Sequence, residues 1–225
     1  MIDDPSSVKT LYLIRHGVAD SVSGRCIGHT DAPLSAEGLA QCARLALAWN
    51  PPSDAVVWSS DLSRAHDSAC ALLDAWALPR TRLRSTASLR ECSFGAWDGR
   101  TWAELEATDG ARLDHWMRDW QSVAPPDGES LPEFADRVRT ALHRIAATDP
   151  VSHVIVAHAG TLRAILCTIL DAPDSAGFSW AMPHAHVSRV TMVVPVSTGD
   201  AIRGTVEWLH AFPAPSTTLH SIAET

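Results

Sequence analysis

The sequence contains a single lysine, Lys9, among 18 basic side chains, so arginine carries nearly all of its positive charge. The guanidinium group offers a rigid fork of hydrogen-bond donors that matches the oxygens of phosphate and carboxylate groups. The net charge is nevertheless −8. A chain this acidic lacks the basic face that non-specific binding to nucleic acid or to an anionic membrane requires. We therefore expect a small-molecule partner, with neither nucleic acid nor a membrane as a binding surface.

Paired cysteines and long apolar runs are also lacking. The five cysteines are odd in number, widely spaced and without a CxxC motif, so neither a disulfide framework nor a zinc site is expected. No apolar run approaches the length of a membrane span. The acidic N-terminus, MIDDPSSVK, does not have the basic and apolar regions of a signal peptide. These features predict a soluble protein of the cytoplasm.

Strand and helix signals alternate along the chain. Short apolar or β-branched runs predict strands at 8–14, 54–60, 82–86, 153–160, 187–196 and 205–210. Amphipathic patterns predict helices at 34–49, 61–78, 130–147 and 161–170. This alternation predicts an α/β fold with a mostly parallel central sheet and helices on both faces, in which the last two strands are antiparallel neighbours. We expect one domain over residues 1–225.

The alternation of strand and helix signals is interrupted at about residues 94–132. We interpret this segment as a helical lid insertion over one end of the sheet. Leu113, Trp116, Met117 and Trp120 share one face of a helix in this segment. That face is expected to pack the lid onto the sheet. The alternative is that one tryptophan reaches the cleft and stacks on a flat apolar group of a substrate.

Helix capping and helical spacing support two of the predicted helices. Ser35 is a plausible N-cap of the first, whose apolar residues at helical spacing are Leu39, Cys42, Ala43, Ala46 and Leu47. Ser130 and Glu133 form a capping-box pattern at the start of the helix over 130–147.

Polar residues cluster at the predicted carboxyl ends of the strands. Arg15 and His16 follow the first strand, Arg64 opens the helix after the second, Glu91 precedes CSFGAWDG, and His158 lies in VIVAHAG. In parallel α/β sheets ligands bind at this edge. Each residue alone is a weak signal, because a histidine after a strand is more often a turn residue. Two histidines, two arginines and one carboxylate at matching positions are a much less probable coincidence.

These five residues suit the chemistry of a phosphomonoester. Arginine and histidine can donate hydrogen bonds to the three oxygens over which a transferred phosphoryl group spreads its charge. A neutral imidazole whose other nitrogen is hydrogen-bonded is a competent nucleophile toward phosphorus. A carboxylic acid can protonate the leaving alcohol and then activate water. Because this scheme needs no metal and no cofactor, it fits a sequence without a P-loop or a carboxylate cluster.

Four segments, LIRHG, SSDLSRAHDSA, LRECSFGAWDG and VIVAHAG, resemble in that order the signature segments of the histidine phosphatase superfamily, in its phosphoglycerate-mutase-like branch. The resemblance covers residues 8–196. It implies that His16 becomes phosphorylated during turnover and that Glu91 is the proton donor. It also implies a phosphate pocket formed by Arg15, Arg64 and His158.

The chain departs from this family just after the first motif. Family members commonly have Glu-Thr after the RHG triplet and then an asparagine that lines the pocket, whereas this chain has Val18, Ala19 and Val22. We expect other groups to contribute substrate contacts. The candidates are Gly17, Arg25, Gly28, His29 and Trp97, with Thr30 as an alternative.

The stretch WMRDWQSVAPPDGES, residues 116–130, resembles the corresponding stretch of the α-ribazole phosphatases, which act in cobalamin biosynthesis. This resemblance implies α-ribazole 5′-phosphate as the substrate. A phosphoglycerate mutase and a broad-specificity sugar or nucleotide phosphatase remain alternatives, as does a non-catalytic phosphate-binding module. The sequence leaves two further questions open: whether a homodimer forms, and whether His184 and His186 line the cleft or lie on the surface.

Overall fold

The computed structural model describes residues 7–195 and 201–211, so the N-terminal stretch used above to argue against a signal peptide lies mainly outside the described residues. In the described ranges, six strands form one sheet in the order β3-β2-β4-β1-β5-β6. Their bounds are β1 (Ser7–Arg15), β2 (Val56–Ser60), β3 (Leu83–Thr86), β4 (Ser152–Ala157), β5 (Val187–Val194) and β6 (Arg203–Ala211). The first four are mutually parallel, and β5 and β6 run antiparallel to their neighbours. The predicted fold class is confirmed.

Five α-helices accompany this sheet in the described part of the chain: α1 (Ala36–Ala48), α2 (Ser63–Ala75), α3 (Trp102–Arg118), α4 (Leu131–Ala146) and α5 (Ala159–Leu170). The Ser35 side chain caps α1 by accepting a hydrogen bond from the amide of Gly38, and Ser130 with Glu133 forms the predicted capping box of α4. Among these residues, no helix combines the length and the apolar character needed to cross a bilayer.

The core is divided by the sheet into two layers. Alternate residues of β1 point to opposite faces, as strand geometry requires. Leu11 and Leu13 pack with residues of α4 and α5, whereas Tyr12 and Ile14 pack with residues of α1 and α2. Helices therefore cover both faces, and the buried strands hold the groups at their carboxyl ends in fixed positions.

The apolar face predicted for α1 is wrong in part. Cys42 and Ala46 are buried, but Leu39 and Leu47 are exposed, Leu47 by 88%. The helix buries instead the side that contains Gly38 and Leu45. A Cβ at Gly38 would lie 2.3 Å from the carbonyl oxygen of Val18, so the helix docks through its glycine against the loop after β1. This close contact turns the two leucines toward solvent.

The lid segment holds α3, which differs from the predicted helix at its end. The helix stops at Arg118, so Trp120 lies beyond it and does not share its face, and Met117 is 61% exposed. Leu113 is buried, but it packs with Cys26, Trp97 and Leu105 and not with residues of the sheet. Non-helical backbone angles at Asp109 bend the helix, and its carboxylate accepts a 2.8 Å hydrogen bond from the Trp97 indole.

Candidate active site

A cavity of about 700 Å³ opens at the carboxyl ends of the parallel strands. All five residues predicted to carry the chemistry line it: Arg15, His16, Arg64, Glu91 and His158. The register of β1 and β4 explains how two of them meet. Arg15 pairs with Ala157 across these neighbouring strands, so the residues that follow, His16 and His158, lie side by side. Their ring centroids are 5.0 Å apart.

Nearly every polar group of His16 has a hydrogen-bond partner. Its amide donates to the carbonyl of Ala157 at 2.9 Å, and its own carbonyl accepts from Nδ1 of His184 at 2.8 Å. Its Nδ1 lies 2.6 Å from the carbonyl oxygen of Gly17, so Nδ1 carries the proton and donates. Among the described residues, only Nε2 is left without a partner. The ring therefore presents one lone pair, on Nε2, to the cavity.

The electrostatic surroundings keep this imidazole neutral. Burial, with His16 only 6% exposed, and the Arg64 guanidinium lower the pKa of His16 well below its usual range, although the hydrogen bond to Gly17 opposes the shift. A neutral ring keeps the Nε2 lone pair available at physiological pH. This is the state that a nucleophilic histidine needs.

His158 is the most unsatisfied side chain of the site. It precedes α5 as its N-cap and is 1% exposed, and neither ring nitrogen has a hydrogen-bond partner within the described ranges. Burial, with the neighbouring His16 and Arg64, lowers the pKa of His158 well below its usual range. A buried ring without partners beside a cavity is placed to bind a ligand that enters it.

The two arginines are held by backbone carbonyls. Arg64, which is 2% exposed, donates to the carbonyls of Thr30 and Gly28 at 2.8 Å each. Arg15 donates to the carbonyl of Met182 at 2.7 Å, and its buried Nε has no partner among the described residues. Burial lowers the pKa of both guanidiniums, but a guanidinium remains charged in proteins. The pair supplies fixed positive charge at the cavity floor, which is our name for the group of Arg15, His16, Arg64, Glu91 and His158.

Glu91 is fixed by two backbone amides. Oε1 accepts from the amide of Cys92, and Oε2 accepts from the amide of Gly160, each at 3.0 Å. A glycine is required at position 160, because a Cβ there would lie 2.2 Å from Oε1 of Glu91. The carboxyl group thus reaches the start of α5, close to His158.

A partly buried ion pair that the sequence did not single out supports Glu91. Arg137 of α4 forms two 2.7 Å bonds to the carboxylate of Glu129, and it also donates to the Glu91 carbonyl at 3.1 Å. Glu129 in turn accepts from the amide of Ser93 at 2.9 Å, and the Arg137 side chain lowers the pKa of Glu129 against the effect of burial. The sequence signal that could have located Arg137 is the capping box at the start of α4, because it fixes where the helix that carries this residue begins.

The additional residues predicted to contact substrate are divided by the structure. Arg25 lines the cavity, but Gly17, Gly28, His29 and Trp97 are not part of its wall. Three of these four do not face the cavity but form hydrogen bonds with residues that do. The Gly17 carbonyl orients His16, the Gly28 carbonyl holds Arg64, and His29 donates from Nε2 to the Glu91 carbonyl at 3.0 Å.

Trp97 is 1% exposed and packs in a small core of the lid with Cys26, Leu105 and Leu113. Its predicted substrate contact is not supported by this position, because the ring is enclosed and its indole N–H is used by Asp109. The other tryptophans of the lid are closer to the cleft.

The departure from the family after the first motif makes one wall of the cavity apolar. Ala19 and Val22 both line the cavity. Val18 uses its amide to donate to the side chain of Gln41 at 2.9 Å, which connects this loop to α1. The cavity is therefore apolar at the two positions where the family resemblance implies polar side chains.

Aromatic rings also line the cavity, and we call them the aromatic wall. They are Phe94, Trp102, Trp116, Trp120 and Phe178. Trp116 packs edge-to-face on Phe94 with ring centroids 5.9 Å apart, and Trp120 contacts Phe178 at 4.2 Å. The contact between Trp120 and Phe178 joins the lid to the turn after α5. Within residues 7–195 and 201–211, no group of three or more His, Cys, Asp or Glu side chains is arranged to hold a metal ion.

The chain is similar in sequence and in fold to known phosphatases. The chain is 28% identical over 201 residues to the adenosylcobalamin/alpha-ribazole phosphatase of Salmonella typhimurium, which covers 88% of this chain and 98% of that protein. It is 33% identical over 176 residues to the glucosyl-3-phosphoglycerate phosphatase of Mycobacterium tuberculosis, covering 73% of this chain and 77% of that one. The crystal structure of the alpha-ribazole phosphatase from Shigella flexneri superposes with a TM-score of 0.77 at 26% identity, over 90% of this chain and 96% of that one.

Residues 11–194 match the histidine phosphatase superfamily (branch 1). This range contains all four motifs and every residue of the cavity floor. With relatives that are phosphatases by name, the match supports a phosphoric monoester hydrolase. The chain therefore belongs to the histidine phosphatase superfamily, branch 1.

Proposed function

We propose that the enzyme transfers the phosphoryl group of its substrate to Nε2 of His16 and then to water. In the first step, a bond forms between Nε2 and phosphorus while the bond from phosphorus to the leaving oxygen breaks. Glu91 in its acid form gives its proton to that oxygen. In the second step, water attacks phosphorus, the bond to Nε2 breaks, and Glu91 takes the proton from the water. The sum is hydrolysis of the phosphomonoester.

The remaining residues of the cavity floor bind the phosphoryl oxygens. Arg15 and Arg64 supply permanent charge, and His158 supplies a ring N–H that no other described residue uses. Fixed donors of this kind favour a transition state in which negative charge spreads over three oxygens. The observation that carries this part of the proposal is the hydrogen bond from Nδ1 of His16 to the Gly17 carbonyl, which directs Nε2 to the cavity.

For the substrate we propose α-ribazole 5′-phosphate, or a related phosphomonoester with a flat apolar group. The aromatic wall carries this proposal, because rings such as those of Trp116 and Trp120 are suited to stack on a benzimidazole. The names of the Salmonella and Shigella relatives support the same substrate. The resemblance of residues 116–130 to the same enzymes adds to it.

A second candidate is a phosphomonoester that also bears a carboxylate. Arg25 and Arg163 also line the cavity and could pair with a second negative charge. The mycobacterial relative, by its name, acts on such a compound. A phosphoglycerate mutase would bind a similar substrate but would return the phosphoryl group to the bound acid.

The substrate is decided by kcat/KM values measured with α-ribazole 5′-phosphate, 3-phosphoglycerate, glucosyl-3-phosphoglycerate, ribose 5-phosphate and a phosphotyrosine peptide. We expect the first to be preferred. Equal values for all five would contradict the α-ribazole proposal and leave a phosphatase of broad specificity. Isomerisation of 3-phosphoglycerate without phosphate release would identify a mutase.

The aromatic wall is tested by Trp120→Ala, with two substrates that share the ribose 5-phosphate group. The expected loss of kcat/KM for α-ribazole 5′-phosphate is about 5- to 30-fold, the range for one lost stacking contact. Ribose 5-phosphate has no base to stack and serves as the control, with a change below about twofold. An equal loss for both substrates would mean that Trp120 acts on the fold of the lid and not on the base.

The proposed mechanism requires no metal ion, because histidine, arginine and glutamate supply every group that it uses. Dialysis against a chelator such as EDTA is therefore expected to leave kcat and KM unchanged. Loss of activity on dialysis, with recovery on adding a divalent cation, would contradict the mechanism.

A further inference from the structure

His184 is held against the proposed nucleophile, and the mechanism above gives it no role. Its ring lines the cavity and lies 5.1 Å from the ring of His16, centroid to centroid. Its Nδ1 donates to the carbonyl of His16 at 2.8 Å. The proton therefore resides on Nδ1, and Nε2 has no hydrogen-bond partner in the described part of the chain.

The short segment that carries His184 is hydrogen-bonded to the residues at the end of β1. The Met182 carbonyl accepts from the Arg15 guanidinium, and the amide of Ala185 donates to the Arg15 carbonyl at 2.9 Å. Ala185 has a φ of 50°, a left-handed conformation that costs a non-glycine residue energy. Residues 182–185 thus make three hydrogen bonds to Arg15 and His16 at the expense of backbone strain, which indicates that the position of His184 matters.

We propose that His184 is a further phosphate-binding residue, in which Nδ1–H fixes the backbone of His16 while Nε2 takes up a proton when the dianion binds and donates a hydrogen bond to it. This inference rests on the proposed role of His16. The proton comes from solvent, so phosphate binding and proton uptake are coupled.

The charged groups of the cavity favour protonation of His184 only after the dianion has bound. The titratable and charged groups that line the same cavity are Arg15, His16, Arg25, Arg64, Glu91, Cys92, Glu129, His158, Arg163 and Asp174, and Nδ1 of His186 lies 2.8 Å from the carbonyl oxygen of His184. Burial and the Arg15 guanidinium lower the pKa of His184, so the ring is neutral while the cavity holds no anion. A dianion beside the ring favours the charged form and raises its pKa. Protonation therefore follows ligand binding.

Sulfate is a suitable probe, because it is a dianion like the phosphoryl group and does not titrate in the pH range of the assay. The variant His184→Asn keeps a donor near the position of Nδ1 and removes Nε2. We expect its Ki for sulfate, measured as competitive inhibition, to rise about 10- to 100-fold, the loss that accompanies one charge-assisted hydrogen bond. Titration calorimetry in buffers of different ionisation enthalpy is expected to show less proton uptake than in the wild type, by up to one proton.

The variant His184→Phe removes both nitrogens and separates the two parts of the proposal. It is expected to weaken sulfate binding as much as His184→Asn does and to lower kcat further, because the His16 carbonyl loses its donor. His66→Asn makes the same chemical change on the exposed side of α2 and is expected to match the wild type within about twofold.

Wild-type sulfate affinity and proton uptake in His184→Asn would overturn the proposal, even if His184→Phe loses activity. Sulfate binding requires no turnover, so this result is independent of the phosphohistidine mechanism. That mechanism fails separately if His16→Ala remains active.

Discussion

Replacing His16 with alanine is expected to abolish phosphate release, lowering kcat by at least about 10⁴-fold, as for nucleophiles of other covalent mechanisms. The reason is that the Nε2 lone pair is the only group of His16 not already committed to a hydrogen bond among the described residues. Phosphate release from a chromogenic phosphomonoester measures the loss. The same assay on His66→Asn controls for a general effect of histidine replacement.

A covalent intermediate can also be detected directly. Wild-type enzyme quenched during turnover is expected to carry a phosphoryl group that is labile in acid and stable in base, the behaviour of a phosphoramidate. Peptide mapping is expected to place it on His16. Turnover by His16→Ala at the wild-type rate would contradict the proposed function and would favour the alternative of a non-catalytic phosphate-binding module.

The second large effect is expected for Glu91→Gln, which should slow hydrolysis of alkyl phosphates by about 10²- to 10⁴-fold. An amide cannot give a proton to the leaving oxygen. It also cannot accept from both neighbouring amides, because the two carboxylate oxygens bind the N–H groups of Cys92 and Gly160. The measured quantity is kcat/KM, which reports the first phosphoryl transfer, on a series of phosphomonoesters with alcohols of different acidity.

The dependence on the leaving group separates these two consequences. If Glu91 donates a proton, the defect is severe for alkyl alcohols and small for nitrophenol, which leaves without assistance. Glu106→Gln, on the exposed surface of α3, is expected to have no effect with either. A defect in kcat/KM of equal size for every leaving group would assign Glu91 a positioning role in the first step and remove it from proton transfer to the leaving oxygen.

The sheet and the cavity floor could be predicted from the sequence because their signals are local. β1, β2 and β4 contain apolar runs that are followed by polar residues, and strand direction alone places those ends at one edge. His16, Arg64, Glu91 and His158 were found in this way, and the structure brings them to one cavity.

The contacts around those residues could not be predicted, because they depend on how distant segments pack. Trp97 and Trp120 have similar local sequence signals, yet Trp97 is enclosed by the lid core and Trp120 reaches the cavity. His184 lies 168 residues from His16 in the chain, and no periodicity relates them. The exposed face of α1 has the same origin, since a contact at Gly38 set the rotation of the helix.

The pairing of β1 with β4 has a consequence for how this chain tolerates insertions and deletions. Arg15 and Ala157 share one rung of the ladder, and the residues that follow them are the two central histidines. A single-residue insertion or deletion in either strand turns every later side chain of that strand to the opposite face. Such a change would separate His16 from His158. Most apolar residues of the strand would still be buried, because helices pack on both faces of the sheet. Length is therefore constrained most tightly in the strands, and length variation is expected to concentrate in the loops of the lid.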